Sequence, residues 1–238
     1  MVELYGMTSP NVVKIILMLE EVELPYQFHW VSVWRGEQFA PDFVRLNPNS
    51  KVPVIVDADG PAGKPYTVFE SGAILIYLAE KSGLLLPREG TERHDCLQWL
   101  MIQLTGVGPM FGQYVHFTRF APDAAHEYSR SRYRTEALRL LDIVDRRLRD
   151  CPYLGGTEYS IADVAMYPWA RALGFMGLDV SAYPAVSRWV SAISERPAAQ
   201  RALAKVDELR PRSMSEINTA NPEDLDRVFG RGKFARQA

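Results

Sequence analysis

The sequence has few of the residues that build metal sites, disulfide frameworks or membrane spans. Only two cysteines, Cys96 and Cys151, occur in 238 residues, and they form no CxxC pair or zinc-ligand spacing. The four histidines show no HxxxH or Cys/His spacing either. No apolar run approaches the ~18 residues of a membrane helix, and no signal-peptide pattern opens the chain. We therefore expect a cytoplasmic protein that binds neither a metal nor a membrane.

The chain also lacks a strong excess of charge of one sign. Its formal net charge is -2 at pH 7, with a pI near 6.1. A nucleic-acid-binding protein would normally show a basic excess or stripe, so we expect no nucleic-acid partner. Hydrophobic residues make up 47% and charged residues 24% of the sequence, which is typical of a globular protein with a packed core.

The first third of the chain alternates between strand-like and helix-like patterns. Its order is β-α-β-loop-β-β-α, in which the loop holds one short helical turn. The predicted elements are strands at 2–5, 26–33, 52–57 and 66–69, and helices at 10–24 and 70–83.

Beyond residue 90 the pattern becomes entirely helical. The predicted helices are 91–118, 124–149, 160–173, 183–194 and 197–206. Residues 207–238 are polar and weakly patterned, which predicts a tail that drapes over the body or stays mobile. The sequence thus predicts an α/β domain at 1–83, an all-helical domain at 91–206 and a C-terminal tail at 207–238.

The corner "MTSPN" joins the first strand to the first helix. Thioredoxin-type chains often place a reactive cysteine at such a corner, but this one holds Thr8, Ser9 and Asn11. Pro10 suits the first helical position, and Ser9 is well placed as an N-cap. The hydroxyl of Ser9 therefore has two possible roles, helix capping or ligand binding.

Two further motifs carry possible binding chemistry. Val52-Pro53 opens a strand, and the proline could be an ordinary trans residue or a cis-proline that frees backbone groups for a ligand. Glu70 and Ser71 precede an apolar helix. They could cap that helix, or they could bind the ammonium and carboxylate of an α-amino acid at its positive end.

Two helical motifs are structural. Ser160 and Asp163 form a capping box after a Gly-Gly turn, which we interpret as folding rather than catalysis. Gly106, Gly108 and Pro109 interrupt the long helix at 91–118 and predict a kink with close backbone approach.

The motifs "SPNVVKI", "NPNSKVPVIVD" and "FESGAILIYLAEKSGLLLP" together resemble the glutathione transferase family. The later runs "LQWLMIQLTGVGPMFGQ" and "YLGGTEYSIADVAMYPW" are similar to the nu-class bacterial enzymes, which are related to the globular domain of the fungal nitrogen-regulator prion. The resemblance covers residues 1–206. It implies a thioredoxin-like α/β domain, an all-α domain, a homodimer, and a site for two glutathiones or one glutathione disulfide, with glutathione as cosubstrate.

The resemblance also implies roles for individual residues. Val52 would pair its backbone with the cysteinyl part of glutathione beside cis-Pro53, and Glu70 with Ser71 would hold the γ-glutamyl end. The further implied ligand contacts are Gln38, Arg132 and Lys51. Arg132 could equally be a solvated helix residue, and Lys51 could simply be exposed.

The same resemblance places Ser9 where nu-class members carry a threonine hydroxyl, with Asn11 two residues on. Donors at a helix N-terminus would stabilise the glutathione thiolate, as they do for protein cysteines. The sulfur would then belong to the ligand, and Ser9 with Asn11 would activate it. A slip of one residue in register would give the hydroxyl role to Thr8.

The sequence is compatible with three functions. The resemblance favours a glutathione-dependent disulfide-bond oxidoreductase, in which the thiolate attacks a disulfide. A transferase that conjugates glutathione to small electrophiles is the first alternative. A non-enzymatic regulator is the second, and the lack of an Asn/Gln-rich extension before the first strand disfavours it.

Overall fold

The computed structural model describes residues 1–121 and 126–235, to which all structural statements below refer. The start of the helix predicted at 124–149 and the last three residues of the predicted tail lie outside them. By contacts the chain divides into two compact units. The first unit comprises Met1–Tyr77 together with the chain from Arg201 onwards, and the second unit comprises Leu78–Gln200.

The first unit is built on a four-stranded mixed sheet of order β2-β1-β3-β4. β1 pairs parallel with β2 and antiparallel with β3, which in turn pairs antiparallel with β4. This confirms the predicted α/β arrangement. The elements are β1 Val2–Gly6, α1 Pro10–Glu21, β2 Tyr26–Trp30, α2 Pro41–Leu46, β3 Val54–Asp57, β4 Tyr66–Phe69 and α3 Ser71–Ser82.

Helix α1 packs tightly against the end of β1. A Cβ atom at Gly6 would lie 2.6 Å from Cγ1 of Val12, so only glycine fits where the chain turns from strand to helix. The helix ends at Glu21, before the predicted end near 24, because Glu23 adopts a left-handed backbone with φ 53°. Its residues are buried nearly all round, as expected of a helix inside a core.

Strand β2 is shorter than the predicted 26–33. It ends at Trp30, and Val33–Arg35 and Glu37–Phe39 form two 3₁₀ turns. The backbone N–H of Ser32 donates to the Glu37 carboxylate at 2.6 Å instead of to a neighbouring strand. A local side-chain acceptor thus competes with the ladder and ends the strand.

The second unit is helical among its described residues, as the sequence predicts. Its helices after α3 are α4 Gly90–Met101, α5 Gly108–Val115, α6 Glu127–Asp150, α7 Ile161–Arg171 and α8 Pro184–Ser194. The interruption predicted in the first long helix takes the form of π-helical stretches at Ile102–Val107 and His116–Phe120. A Cβ at Gly106 would lie 3.1 Å from Leu140, which confirms the close approach. None of the helices in the described part of the chain is long and apolar enough to cross a membrane.

The C-terminal segment, which the sequence predicts as a weakly patterned tail over 207–238, is helical over most of its described residues. α9 runs over Pro197–Thr219 rather than ending at 206, and α10 covers Pro222–Phe229. Glu216 of α9 is 8% exposed and accepts hydrogen bonds from Trp30 at 3.0 Å and Ser32 at 2.7 Å. The polarity of this buried face concealed the helical period, because Glu216 faces hydrogen-bond donors on and just after β2.

Candidate active site

The sheet register brings three separated segments to one edge of the first unit. Tyr5 lies opposite Val54, so the end of β1 and the start of β3 share an edge. Val54 also lies opposite Phe69, which places the end of β4 there. The segments that extend from these strand ends are 7–11, 52–53 and 70–71. Antiparallel pairing therefore collects most of the residues that the resemblance assigns to glutathione binding.

Ser9 occupies the N-cap position of α1 through its backbone alone. Its carbonyl oxygen accepts the N–H groups of Val12 and Val13, each at 2.9 Å. The Ser9 side chain makes no capping hydrogen bond, although serine is favoured at N-caps for that bond. Thr8, Ser9 and Asn11 are all half-buried. The Ser9 hydroxyl is therefore available to a ligand at a helix end that favours negative charge.

The Val52–Pro53 peptide bond is cis, as the resemblance implies. Pro53 is buried and Val52 is half-buried. Because β3 begins at Val54, the backbone groups of Val52 precede the ladder. They can pair with an extended ligand backbone at this edge.

Glu70 adopts a left-handed backbone with φ 66° immediately before α3. Its carbonyl accepts the N–H of Ile74 at 2.9 Å, so its backbone opens the helix. Its side chain is exposed, whereas Ser71 is buried. Residues other than glycine rarely adopt this conformation, so the surrounding structure must hold Glu70 in it.

Two asparagines that the sequence reasoning missed hold the loop before Pro53. Asn47 is buried, donates from Nδ2 to the carbonyl of Lys51 at 2.7 Å, and accepts the N–H of Asn49 at 2.9 Å. Asn49 donates to the Glu70 carboxylate at 2.9 Å. The available signal was "NPNS", since asparagine side chains hydrogen-bond the backbone of turns.

The sequence reasoning also missed Lys14, which lies in the middle of α1. It is 0% exposed, and its Nζ lies 3.3 Å from the hydroxyl oxygen of Ser71. Burial lowers the pKa of Lys14 to about 7, partly opposed by the negative charge of Glu70. A lysine inside the apolar run "VVKIILML" was the available signal.

The remaining predicted contacts differ in their surroundings. Gln38 lies in the 3₁₀ turn Glu37–Phe39 and is 3% exposed, with an amide oxygen that has no partner among the described residues. Lys51 is exposed. Arg132 lies on α6 in the second unit, is exposed, and pairs with Glu136 at 3.2 Å.

Tyr5, in β1 just before the Ser9 corner, has partners within the protein for both its hydroxyl and its ring. Its hydroxyl donates to Glu3 at 2.8 Å, and its ring stacks on His29 at 4.7 Å. Burial and the Glu3 carboxylate raise the pKa of Tyr5 to about 12. A hydroxyl with an anionic acceptor and a raised pKa is a poor donor to a second anion.

The two cysteines lie on the second unit and are not disulfide-bonded. Cys96 is buried, and burial raises the pKa of its thiol. Among residues 1–121 and 126–235, no group of three or more His, Cys, Asp or Glu could hold a metal ion. The edge that carries Ser9 thus has donors for a thiolate, but the described part of the first unit holds no cysteine.

Comparison with known proteins points to one family. The glutathione S-transferase N-terminal domain matches residues 8–81, and the glutathione S-transferase C-terminal domain matches residues 107–197. The disulfide-bond oxidoreductase YfcG of Escherichia coli (strain K12) is 48% identical over 208 residues, covering 86% of this chain and 95% of that protein.

Solved structures agree. A glutathione transferase from Burkholderia graminis, with two glutathione molecules bound per subunit, is 44% identical with a TM-score of 0.81, covering 85% of this chain and 87% of that one. One from Pseudomonas putida, with one glutathione disulfide bound per subunit, is 43% identical with a TM-score of 0.79, covering 85% and 90%. With both domains matched and the predicted fold class confirmed, the chain belongs to the glutathione S-transferase family.

Proposed function

We propose that this protein is a glutathione-dependent disulfide-bond oxidoreductase of the nu-class type. The observation that carries the proposal is the Ser9 hydroxyl, which is half-buried at a helix N-terminus and makes no capping hydrogen bond. The name of YfcG and the glutathione pairs or disulfide bound by the two solved relatives support it.

The reaction needs two thiols and no redox group from the protein. A glutathione thiolate attacks one sulfur of the substrate disulfide, forms a mixed disulfide and expels the other sulfur as a thiolate. A second glutathione thiolate attacks the glutathionyl sulfur of the mixed disulfide. The products are glutathione disulfide and the second substrate thiolate, which takes up a proton. A site for two glutathiones, or for their disulfide, matches this stoichiometry.

We assign the activation of sulfur to Ser9 and Asn11. The Ser9 hydroxyl donates to the thiolate, Asn11 supplies an amide donor, and the N-terminus of α1 adds its positive end. These interactions favour the thiolate over the thiol and lower the pKa of the bound glutathione. Thr8 is the alternative hydroxyl, since it too is half-buried.

The other assignments follow the three segments at the sheet edge. Val52, before cis-Pro53, pairs its backbone with the cysteinyl part of glutathione. Glu70 accepts from the ligand ammonium and Ser71 donates to the ligand α-carboxylate. Lys51 and Gln38 bind the remaining part of glutathione.

Three further proposals rest on the family resemblance. Arg132 of the second unit contacts glutathione. Its guanidinium, which pairs with Glu136, would then bind both groups. The protein is a homodimer. It acts in the cytoplasm, a reducing compartment that keeps glutathione and free cysteines such as Cys96 and Cys151 in the thiol form.

The central test measures glutathione-dependent reduction of 2-hydroxyethyl disulfide. We expect kcat/KM to fall roughly 10- to 100-fold for Ser9→Ala and for Asn11→Ala, as when a preorganised donor to a developing anion is removed. Ser215→Ala and Asn218→Ala, at exposed positions on α9, are the matched controls and should leave the rate unchanged. Thr8→Ala tests whether Thr8, rather than Ser9, supplies the hydroxyl that donates to the sulfur.

If Ser9→Ala and Asn11→Ala both keep the wild-type rate, the assignment of these residues is wrong. Conjugation of glutathione to 1-chloro-2,4-dinitrobenzene, measured on the same preparation, separates the proposed activity from a general transferase. An efficient conjugation with negligible disulfide reduction would contradict the proposal.

A further inference from the structure

We propose that Lys14 is a positioning residue for the γ-glutamyl end of glutathione, because its ammonium sets the direction in which the Ser71 hydroxyl donates. The inference rests on the proposed function. It adds a residue that the sequence motifs do not mark as part of the site.

The position of Lys14 connects the two ends of the proposed site. It lies on α1, whose first turn carries the proposed sulfur donors, and it contacts Ser71, the first residue of α3. Its Nζ is 3.3 Å from Oγ of Ser71, and both residues are buried. The contact therefore joins the helix that activates sulfur to the helix that receives the ligand carboxylate.

The hydrogen-bonding capacity of the two groups fixes the direction of the bond. A protonated lysine has three donors and no acceptor, so the oxygen of Ser71 must accept from it. The proton of the Ser71 hydroxyl is then not used in this bond. It can be donated outward, to a carboxylate at the N-terminus of α3.

A neutral amine reverses this preference. Its nitrogen carries a lone pair that can accept the Ser71 proton, which withdraws the donor from the ligand. Because burial lowers the pKa of Lys14 to about 7, both forms are accessible near neutral pH. The negative charge of Glu70, the residue before Ser71, opposes this lowering of the Lys14 pKa.

The lysine is costly for folding, which argues for a role in the site. A buried ammonium loses hydration, and replacing such a charge by an apolar residue of similar volume is often neutral or stabilising. Methionine has nearly the length and shape of a lysine stem and would fit among the apolar residues of α1. If Lys14 only filled space in the core, the Lys14→Met variant would be at least as stable as the wild type.

The first experiment compares binding and stability in one variant. Calorimetric titration with S-methylglutathione, which lacks a free thiol, measures binding without thiol ionisation. We expect Lys14→Met to bind this probe roughly 10-fold more weakly than wild type, as when one charged hydrogen-bond partner is lost, with no loss of stability in urea. Lys64→Met, at an exposed position in the first unit, is the control and should bind normally.

The second experiment measures the proton that Lys14 takes up when the ligand binds. When pH is above the pKa of Lys14, binding a ligand carboxylate should reprotonate the lysine, so binding should take up a proton. Titrations in buffers of different ionisation enthalpy measure this uptake. It should be present in wild type and Lys64→Met and absent in Lys14→Met. A lysine with only a packing role would show no such difference.

A double-mutant cycle tests the route through Ser71. If Lys14 acts through that hydroxyl, Lys14→Met should weaken binding far less in a Ser71→Ala background than in wild type. Unchanged binding and proton uptake in Lys14→Met would overturn the inference while leaving the proposed function intact. If wild type itself does not bind the probe, the proposed glutathione site fails, and the inference fails with it.

Discussion

Two helices of this protein begin with a serine at the N-cap, and they differ in what that serine binds. Ser9 and Ser160 both have extended backbones before a helix. The Ser9 side chain makes no capping bond. Ser160 donates from its backbone N–H and its hydroxyl to the Asp163 carboxylate, each at 3.0 Å. The N-terminus of α1 at Ser9 is therefore an open start, with a side chain that makes no capping bond. The N-terminus of α7 at Ser160 is a closed start, because its donors bind Asp163 of the same helix.

The closed start is part of a larger buried network. Asp163 is 0% exposed and also accepts the backbone N–H of Leu154 at 2.8 Å and the indole N–H of Trp189 at 2.9 Å. Every donor directed at this carboxylate comes from the second unit itself. At Ser9 the hydroxyl makes no such bond, and under the proposed function it donates to a ligand. The same residue type at the same helical position would therefore serve folding in one place and binding in the other.

The largest effect should come from opening the closed start. Asp163→Ala leaves several buried donors without an acceptor, so we expect the free energy of unfolding to fall by about 3–5 kcal/mol. Urea denaturation measures the loss. Asp95→Ala, at an exposed position on α4, is the control and should change it by less than about 0.5 kcal/mol. Equal stability of the two variants would show that the network contributes little.

Closing the open start should inactivate the protein without unfolding it. Aspartate is an equally good N-cap, so Ser9→Asp should preserve stability, but its carboxylate would repel a thiolate at the same place. We expect kcat/KM for 2-hydroxyethyl disulfide to fall roughly 100-fold or more. Ser215→Asp adds the same charge on α9 and should keep the rate. A fully active Ser9→Asp would mean that the sulfur binds elsewhere.

The closed start should also respond to pH. Burial raises the pKa of Asp163 from 3.8 to about 6 despite the four hydrogen bonds to it. Between these values the folded state holds the proton more tightly than the unfolded state does, so stability should fall as pH rises from about 4 to about 6. The loss should be about 2 kcal/mol relative to Asp163→Asn, whose side chain does not titrate. Parallel stability curves for the two proteins would contradict the raised pKa.

The smallest effect should appear in the two serines themselves. Ser160→Ala removes a buried hydroxyl from the network and should cost about 1 kcal/mol. Ser9→Ala removes no capping bond and should change stability by less than about 0.3 kcal/mol. Thermal and urea unfolding of both variants check the difference. A larger loss for Ser9→Ala would indicate that its hydroxyl already has a structural partner.

Local patterns were sufficient to predict much of the fold and part of the candidate site. The strand at 66–69, the helix after Glu70 and the capping box at Ser160 depend on neighbouring residues, and the structure confirms them. The cis bond before Pro53 followed from a family resemblance rather than from any local pattern. The roles of the site residues toward glutathione stay predictions.

Other features depend on contacts between distant residues and could not be predicted locally. The burial of Lys14 follows from its contact with Ser71, 57 residues away. α9 continues to Thr219 because Glu216 meets polar partners on and after β2. The sequence alone does not show whether a polar side chain faces water or a distant hydrogen-bond donor. Only the fold distinguishes these cases.

The contacts of Glu216 have a consequence for how the protein is made. Trp30 and Ser32 are synthesised early, and their acceptor on α9 leaves the ribosome 186 and 184 residues later, respectively. Until then these donors lack that acceptor, and Trp34 in the turn Val33–Arg35 lacks its packing partner Phe229. The first unit is thus completed only after α9 and α10 have been synthesised, and a nascent chain stalled before α9 would lack part of it.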